Sequence, residues 1–271
     1  MSQQEEQAVK SRNVLRELLD AGKPTIGTHV FGIWPGMVEV IGQTGSMDYI
    51  EFSGTYAPHD LLTLENFGRA VDLFDDMSSL MKLDQEPRTY LAVRALGSGI
   101  QNLLFADVRS VEDAKHAIAS GQPDTPEGQG LVGAGMRRDV GYVHKSMQEY
   151  VDDVEKSVVA LMIEKKGAVD NLEEILELPG LDMVQFGAGD YSMSIGMPGN
   201  YDHPDVVNAE MHTIKTAIKM GVRPRVEILR WEKAAPYIEM GVKDFCIGVD
   251  VLMVADFCKD QGGALAKALG Q

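Results

Sequence analysis

Glu164 ends the apolar run Val158-Val159-Ala160-Leu161-Met162-Ile163, and Asp190 follows Met183-Val184-Gln185-Phe186-Gly187-Ala188-Gly189. Each run reads as a strand buried on both faces. A carboxylate at the carboxyl end of such a strand, beside a glycine-rich turn, stands where an α/β barrel gathers metal ligands and catalytic groups. The two carboxylates lie about one strand–helix unit apart, which puts both at one mouth. An oxygen-only pair of this kind suits a hard divalent cation such as Mg²⁺ or Mn²⁺.

The elements that must position the pair alternate along the chain. Strand-like segments fall at residues 25–30, 49–53, 90–94, 102–108, 158–164, 183–187, 223–228 and 244–248. Amphipathic stretches lie between most of them, at 60–82, 111–120, 169–176, 204–220 and 231–240; a helix over 251–268 closes the chain and one over 5–19 precedes the first strand. Repeated β-then-α units with buried strands leave a closed barrel or an open doubly wound sheet. Eight strands in 271 residues favour a (β/α)8 TIM barrel, and with no linker or compositional break residues 1–271 read as one domain. Only Ala95-Leu96-Gly97-Ser98-Gly99 separates the third and fourth segments, too little for a crossover helix, so a shortened third unit is expected. The Gly- and Pro-rich segment 121–139 is expected to fold over the mouth as an active-site loop.

Composition narrows the function. A net charge of −16 argues against nucleic acid as a partner, and the acidic residues are spread over many helices as a solvated surface. An anionic substrate would therefore need a local cation. No apolar run approaches the ~20 residues that span a bilayer. The charged N-terminus lacks the apolar stretch of a secretory leader, so a cytoplasmic protein with no membrane partner is expected. Cys246 and Cys258 give neither a disulfide framework nor zinc spacing, and Cys246 reads as a core thiol.

The block Ile163-Glu164…Pro179-Gly180-Leu181-Asp182…Phe186-Gly187-Ala188-Gly189-Asp190-Tyr191-Ser192…Gly196-Met197-Pro198-Gly199 resembles the metal-dependent class II pyruvate aldolases of the HpcH/HpaI family. Gly248-Val249-Asp250-Val251-Leu252 does so too, as do Gly27-Thr28, Asp48-Tyr49-Ile50, Ala57-Pro58, Asp60 and Val93-Arg94. The likeness covers most of the chain and is densest from Glu164 to Gly199. It implies a (β/α)8 barrel, a homo-oligomer (usually a hexamer in the family), and cleavage or formation of a C–C bond next to pyruvate. It also implies that Glu164 and Asp190 hold a divalent metal (Mg²⁺, Mn²⁺ or Co²⁺) chelated by a 2-oxo acid. On the same ground the backbone of Gly187, Ala188 and Gly189 takes the substrate carboxylate, and Arg94 steadies the enolate oxygen.

The chain departs from the family in its proton-transfer groups. Where the family carries Asp–Gly–Glu–His on the second strand, this chain reads Ser53-Gly54-Thr55-Tyr56, and Met162 replaces a glutamine. His29, at the end of the first strand, is a candidate replacement for the base, with the alternative of a wall histidine. Tyr56 is a candidate proton donor, with the alternative of an aromatic that shapes the pocket. Arg137 and Arg138 are candidates to meet a second substrate carboxylate; His59 reads as an exposed loop residue, and His144 could reach a neighbouring site in an oligomer. The leading expectation is a metal-dependent carbon–carbon lyase, a retro-aldolase or decarboxylase, acting on a 2-oxo acid. Its rivals are an oxo-acid-binding barrel without turnover and a metal-free structural barrel.

Overall fold

Short runs of Val, Ile, Leu and Met with no room for a helix pair side by side, each flanked by an amphipathic stretch that covers it. The computed structural model describes residues 12–135, 138 and 146–270. Eight parallel strands close a barrel in sequence order: β1 (Thr25–Val30), β2 (Tyr49–Ser53), β3 (Ser78–Leu83), β4 (Asn102–Phe105), β5 (Val159–Ile163), β6 (Met183–Phe186), β7 (Arg223–Ile228) and β8 (Asp244–Val249). β1 pairs with both β2 and β8, so the sheet has no edge. Every position of β2, β3, β4 and β5 is buried, as expected of strands packed on side chains inside and helices outside. The architecture is the expected (β/α)8 TIM barrel.

Local signals set the helix limits. Asp60 accepts the amide of Thr63 at 2.8 Å while the Thr63 hydroxyl takes the Asp60 amide, a reciprocal cap that starts the helix Leu61–Val71. The helix Pro204–Met220 begins with proline in its first turn and ends at Gly221, whose φ of 83° a side chain would resist. At the foot of the barrel, the helix Val14–Asp20 precedes β1, and the Asn13 amide bonds Asn102 at 2.7 Å and the Lys156 carbonyl at 3.0 Å. Residues 5–11 of the expected opening helix lie outside the described residues.

The third unit is of full length, which corrects the expected truncation. Residues 90–94 are not a strand; they belong to the helix Arg88–Gly97, where Ala92, Ala95 and Leu96 are buried at helical spacing. The true third strand, β3, lies inside the stretch 60–82 that reads as one long helix. Its Ser78 and Lys82 look unlike a core strand, yet all six positions are buried because the polar side chains find partners: Ser78 Oγ donates to Asn13 Oδ1 at 3.3 Å, and Lys82 turns to the mouth.

The segment 121–139 is also corrected. Its described part follows the helix Val111–Ser120, which runs away from the mouth, and packs at the foot: a Cβ on Gly121 would meet Val159 and Leu103 at the starts of β5 and β4. The described part of the segment forms no lid over the mouth. The helix Asp250–Phe257, which continues through Cys258–Gly262 into the closing helix Gly263–Ala268, leaves Val251, Val254 and Phe257 exposed. No helix among the described residues is long and apolar enough to cross a membrane.

Candidate active site at the barrel mouth

Glu164 stands one residue beyond β5 and is almost fully buried at 3 % exposure. Its Oε1 accepts the Asp107 amide at 2.8 Å, which fixes the carboxylate to the end of β4. Asp190 lies in the first turn of the helix Ala188–Ser194 after β6. Gly187, between β6 and that helix, makes room for the pair: a Cβ there would overlap Glu164 Oε2 and come within 2.7 Å of Glu164 Cβ. Its amide donates to the Ile163 carbonyl at 3.2 Å, so Gly187 supplies space rather than a donor. The amides of Ala188, Gly189 and Asp190 open the helix, where a helix leaves its N–H groups without internal acceptors.

Two lysines face these carboxylates. Lys82 Nζ donates to Tyr56 Oη at 3.2 Å and lies 4.9 Å from the centre of the Tyr56 ring. Burial works against its charge, but Glu164, Tyr56 and Glu51 outweigh it and lift the ammonium above its usual value. The Glu164 carboxyl is itself raised, by burial and by Asp190 and Asp107, against the pull of Lys82 and the Asp107 amide. Lys165 Nζ lies 2.5 Å from Asp190 Oδ1 and 2.5 Å from Asp107 Oδ1. A divalent cation fits the donor set of Glu164 and Asp190, because the missing side chain at Gly187 leaves a cradle beside Glu164 Oε2. Lys165 is the group it meets there.

Beneath the lysines lies a buried polar layer. Arg225 is fully enclosed and bonds Tyr49 Oη at 2.7 Å, Gln185 Oε1 and Glu51 Oε2. His29 Nδ1 sits 3.4 Å from Glu227 Oε1, and its Nε2 lies 3.8 Å from Glu51 Oε1; both Nε2 and that oxygen are buried without a bonded partner. Burial opposes a charge on His29, but Glu51 and Glu227 outweigh it and raise the imidazole above its usual value. Against its partial desolvation, Glu227, with 31 % of its side chain exposed, is driven down to about 2 by His29, Arg225 and Lys82. His29 is thus a paired histidine at the base of the mouth, and Tyr56 reaches the same mouth from the loop after β2.

Other expected residues do not join them. Arg94 lies exposed on the outer helix Arg88–Gly97 with its guanidinium 5.6 Å from the Tyr90 ring, because the segment that carries it is helical. Arg138 pairs with Asp72, beyond the C-terminal end of the helix Leu61–Val71 and so at the foot of the barrel. Arg137 and His144 lie outside the described residues. His59 is half-buried, bonded to the Ala57 carbonyl at 3.1 Å and edge-on to Phe52. At the positions of the family's acid pair, Ser53 Oγ and Thr55 Oγ1 face each other at 3.4 Å. Asp250, in the Gly248-Val249-Asp250 block, accepts the amides of Phe31 and Gly32 at 3.0 and 2.8 Å and so ties the loop after β1 to the mouth.

Sequence reasoning missed Lys82, Lys165, Asp107 and the layer of Glu51, Arg225 and Glu227. A signal existed for some of them. Glu51 interrupts an apolar strand, and Arg225 and Glu227 stand two apart, on one face of β7. Lys165 had no such signal, since a lysine at a helix start is ordinarily solvated.

The profile of the HpcH/HpaI aldolase/citrate lyase family matches residues 82–254. The 4-hydroxy-2-oxo-heptane-1,7-dioate aldolase of Salmonella dublin is 26 % identical over 250 residues, covering 90 % of this chain and 91 % of its own. The crystal structure of citrate synthase SbnG superposes with a TM-score of 0.84 at 19 % identity, covering 96 % of this chain and 100 % of the other. An HpcH/HpaI aldolase/citrate lyase family protein from Burkholderia cenocepacia J2315 superposes equally, at 0.84 with 24 % identity, covering 94 % and 99 %. The barrel, the carboxylates at the ends of its fifth and sixth units and the profile match agree: the chain belongs to the HpcH/HpaI aldolase/citrate lyase family, a family of carbon–carbon lyases.

Proposed function

We propose that this chain is a divalent-cation-assisted carbon–carbon lyase that cleaves the C3–C4 bond of a 2-oxo acid, the bond whose electrons the C2 keto group can take up as an enolate. The observation that carries the reading is the convergence of Glu164, Asp190 and the Gly187 cradle with the Lys82 ammonium on one mouth. Glu164 and Asp190 would hold the cation, Mg²⁺, Mn²⁺ or Co²⁺, which when bound supplies Lewis-acid polarisation of the keto group.

The chain's own groups account for the rest. The amides of Ala188, Gly189 and Asp190 receive the substrate carboxylate, which lies against a helix start that favours an anion. The Lys82 ammonium meets the negative charge that develops on the substrate oxygen as the bond breaks, in the position expected of Arg94. Tyr56 Oη, held by Lys82 at 3.2 Å, delivers a proton to the carbon left behind. His29, braced by Glu227, is the proton reservoir at the base of the mouth.

Ser53 and Tyr56 replace the family's second-strand acid and histidine, which favours reactions that need no base for a substrate hydroxyl. Decarboxylation is of that kind, because CO₂ leaves without one. The exposed Val251, Val254 and Phe257 support a homo-oligomer in which the last helix packs on another copy.

The test is oxaloacetate decarboxylation by EDTA-stripped protein with Mg²⁺, Mn²⁺ or Co²⁺ restored, alongside Glu164→Ala. Turnover restored by the cation in wild type and absent in the variant is the expected result. Cation-independent turnover, or equal turnover in Glu164→Ala, would overturn the reading.

A further inference from the structure

Lys165, the residue after Glu164, reaches back across the mouth to Asp190. Its ammonium makes two contacts of equal length, 2.5 Å to Asp190 Oδ1 and 2.5 Å to Asp107 Oδ1, and only 11 % of the side chain is exposed. The two acceptors differ in kind. Asp190 belongs to the donor set for the cation. Asp107, two residues beyond β4, sits at a φ of 58°, a left-handed conformation that the short polar side chain of aspartate tolerates. That turn aims its amide at Glu164 Oε1 and its carboxylate at Lys165. One residue therefore braces one cation ligand and offers an alternative seat to the lysine that covers the other.

A lysine on Asp190 and a divalent cation on Asp190 compete for the same negative charge. The lysine does not have to leave the mouth to yield, because its bond to Asp107 is already made; it has only to release one of two contacts. We propose that Lys165 is an internal competitor for the divalent cation: it neutralises Asp190 in the empty site and withdraws onto Asp107 when the cation enters. In the empty state its charge also keeps Asp190, Asp107 and Glu164 from repelling one another out of position. Cation affinity is then set by the exchange, and Asp107 fixes its balance. The inference rests on the cation site proposed above.

The experiment reads binding without substrate: EDTA-stripped protein is titrated with Mn²⁺ and free Mn²⁺ is followed by electron paramagnetic resonance. Lys165→Met should tighten binding by about ten-fold, the equivalent of one charge-assisted hydrogen bond, and Lys165→Gln, which keeps a polar tip, should tighten it too. Asp107→Asn should weaken binding in wild type, where the lysine loses its second seat, and should do so much less in Lys165→Met. Lys165→Met and Lys165→Gln binding no tighter than wild type, with Glu164→Ala still abolishing binding, would overturn the competitor and leave the cation site standing. An equal effect of Asp107→Asn in both backgrounds would also overturn it. Absence of Mn²⁺ binding in wild type and in both lysine variants would overturn the cation site and the competitor together.

Discussion

Gly187 and Glu164 contend for one volume: a Cβ on the glycine would overlap Oε2 of the carboxylate and lie 3.0 Å from Met162 Cε. Two consecutive strands thus depend on the absence of a single methyl group. Gly187→Ala is expected to keep the fold, since the mouth can widen locally, and to push Glu164 off its seat. Cation-induced thermal stabilisation should disappear, and turnover should fall by about ten-fold or more. Unchanged melting shifts with Mn²⁺ in the variant would contradict the cradle.

Lys82 and Arg94 make opposite predictions. Lys82→Met removes the only strand-borne ammonium found at the mouth among the described residues, and kcat should fall about 100-fold with little change in KM. Lys82→Arg should recover part of it. Arg94→Ala, on the outer helix, should stay within about two-fold of wild type. Steady-state kinetics on the three variants decides which cation acts.

His29 and Glu227 give the fold a pH window. His29 is raised in the folded state, so its contribution is complete below the unfolded value of about 6.5 and is lost as pH rises through the folded one. Glu227 is lowered to about 2, so its contribution is present above the unfolded value of about 4.3 and is lost as pH falls through its folded value. Urea titrations of wild type and His29→Gln should differ most between about pH 4.5 and 6.5 and converge as pH rises through the folded value of His29. A difference that grows with alkalinity would show that the pair does not titrate in this way.

The Arg225 side chain has no exposed surface and three side-chain partners from β2 and β6. Arg225→Met leaves Glu51 buried without its counter-charge, and equilibrium unfolding should report a loss of about 3–5 kcal/mol. Arg225→Met combined with Glu51→Met should recover much of that loss, because an apolar pair of similar volume leaves no orphaned charge. No recovery would point to a role for the pair beyond mutual neutralisation.

Periodicity alone could reach most of the frame. Buried strands with one-sided helices between them announce a closed α/β repeat, and the helices Val111–Ser120 and Pro204–Met220 begin and end where their caps and apolar spacing say they must. Glu164 and Asp190 were legible for the same reason, since a carboxylate within a few residues of the end of a buried strand has one end of the barrel to occupy. β3 was not legible. Its Ser78, Ser79 and Lys82 are polar, and their burial is justified only by partners distant in the chain: Asn13, Gln101 and Tyr56.

What the sequence determined by itself is the repeat, the barrel and the two acids at its mouth, because these follow from local periodicity and strand ends. What only the tertiary structure decided is which cations face those acids. Misplacing one strand by a dozen residues moved the expected arginine from the mouth to the outer layer and hid Lys82. The pairing of Lys165 with Asp107 and Asp190 joins the ends of three units of the barrel. Charge pairing depends on distance in space, and residues dozens of positions apart in sequence become neighbours only when the strands that carry them pair side by side.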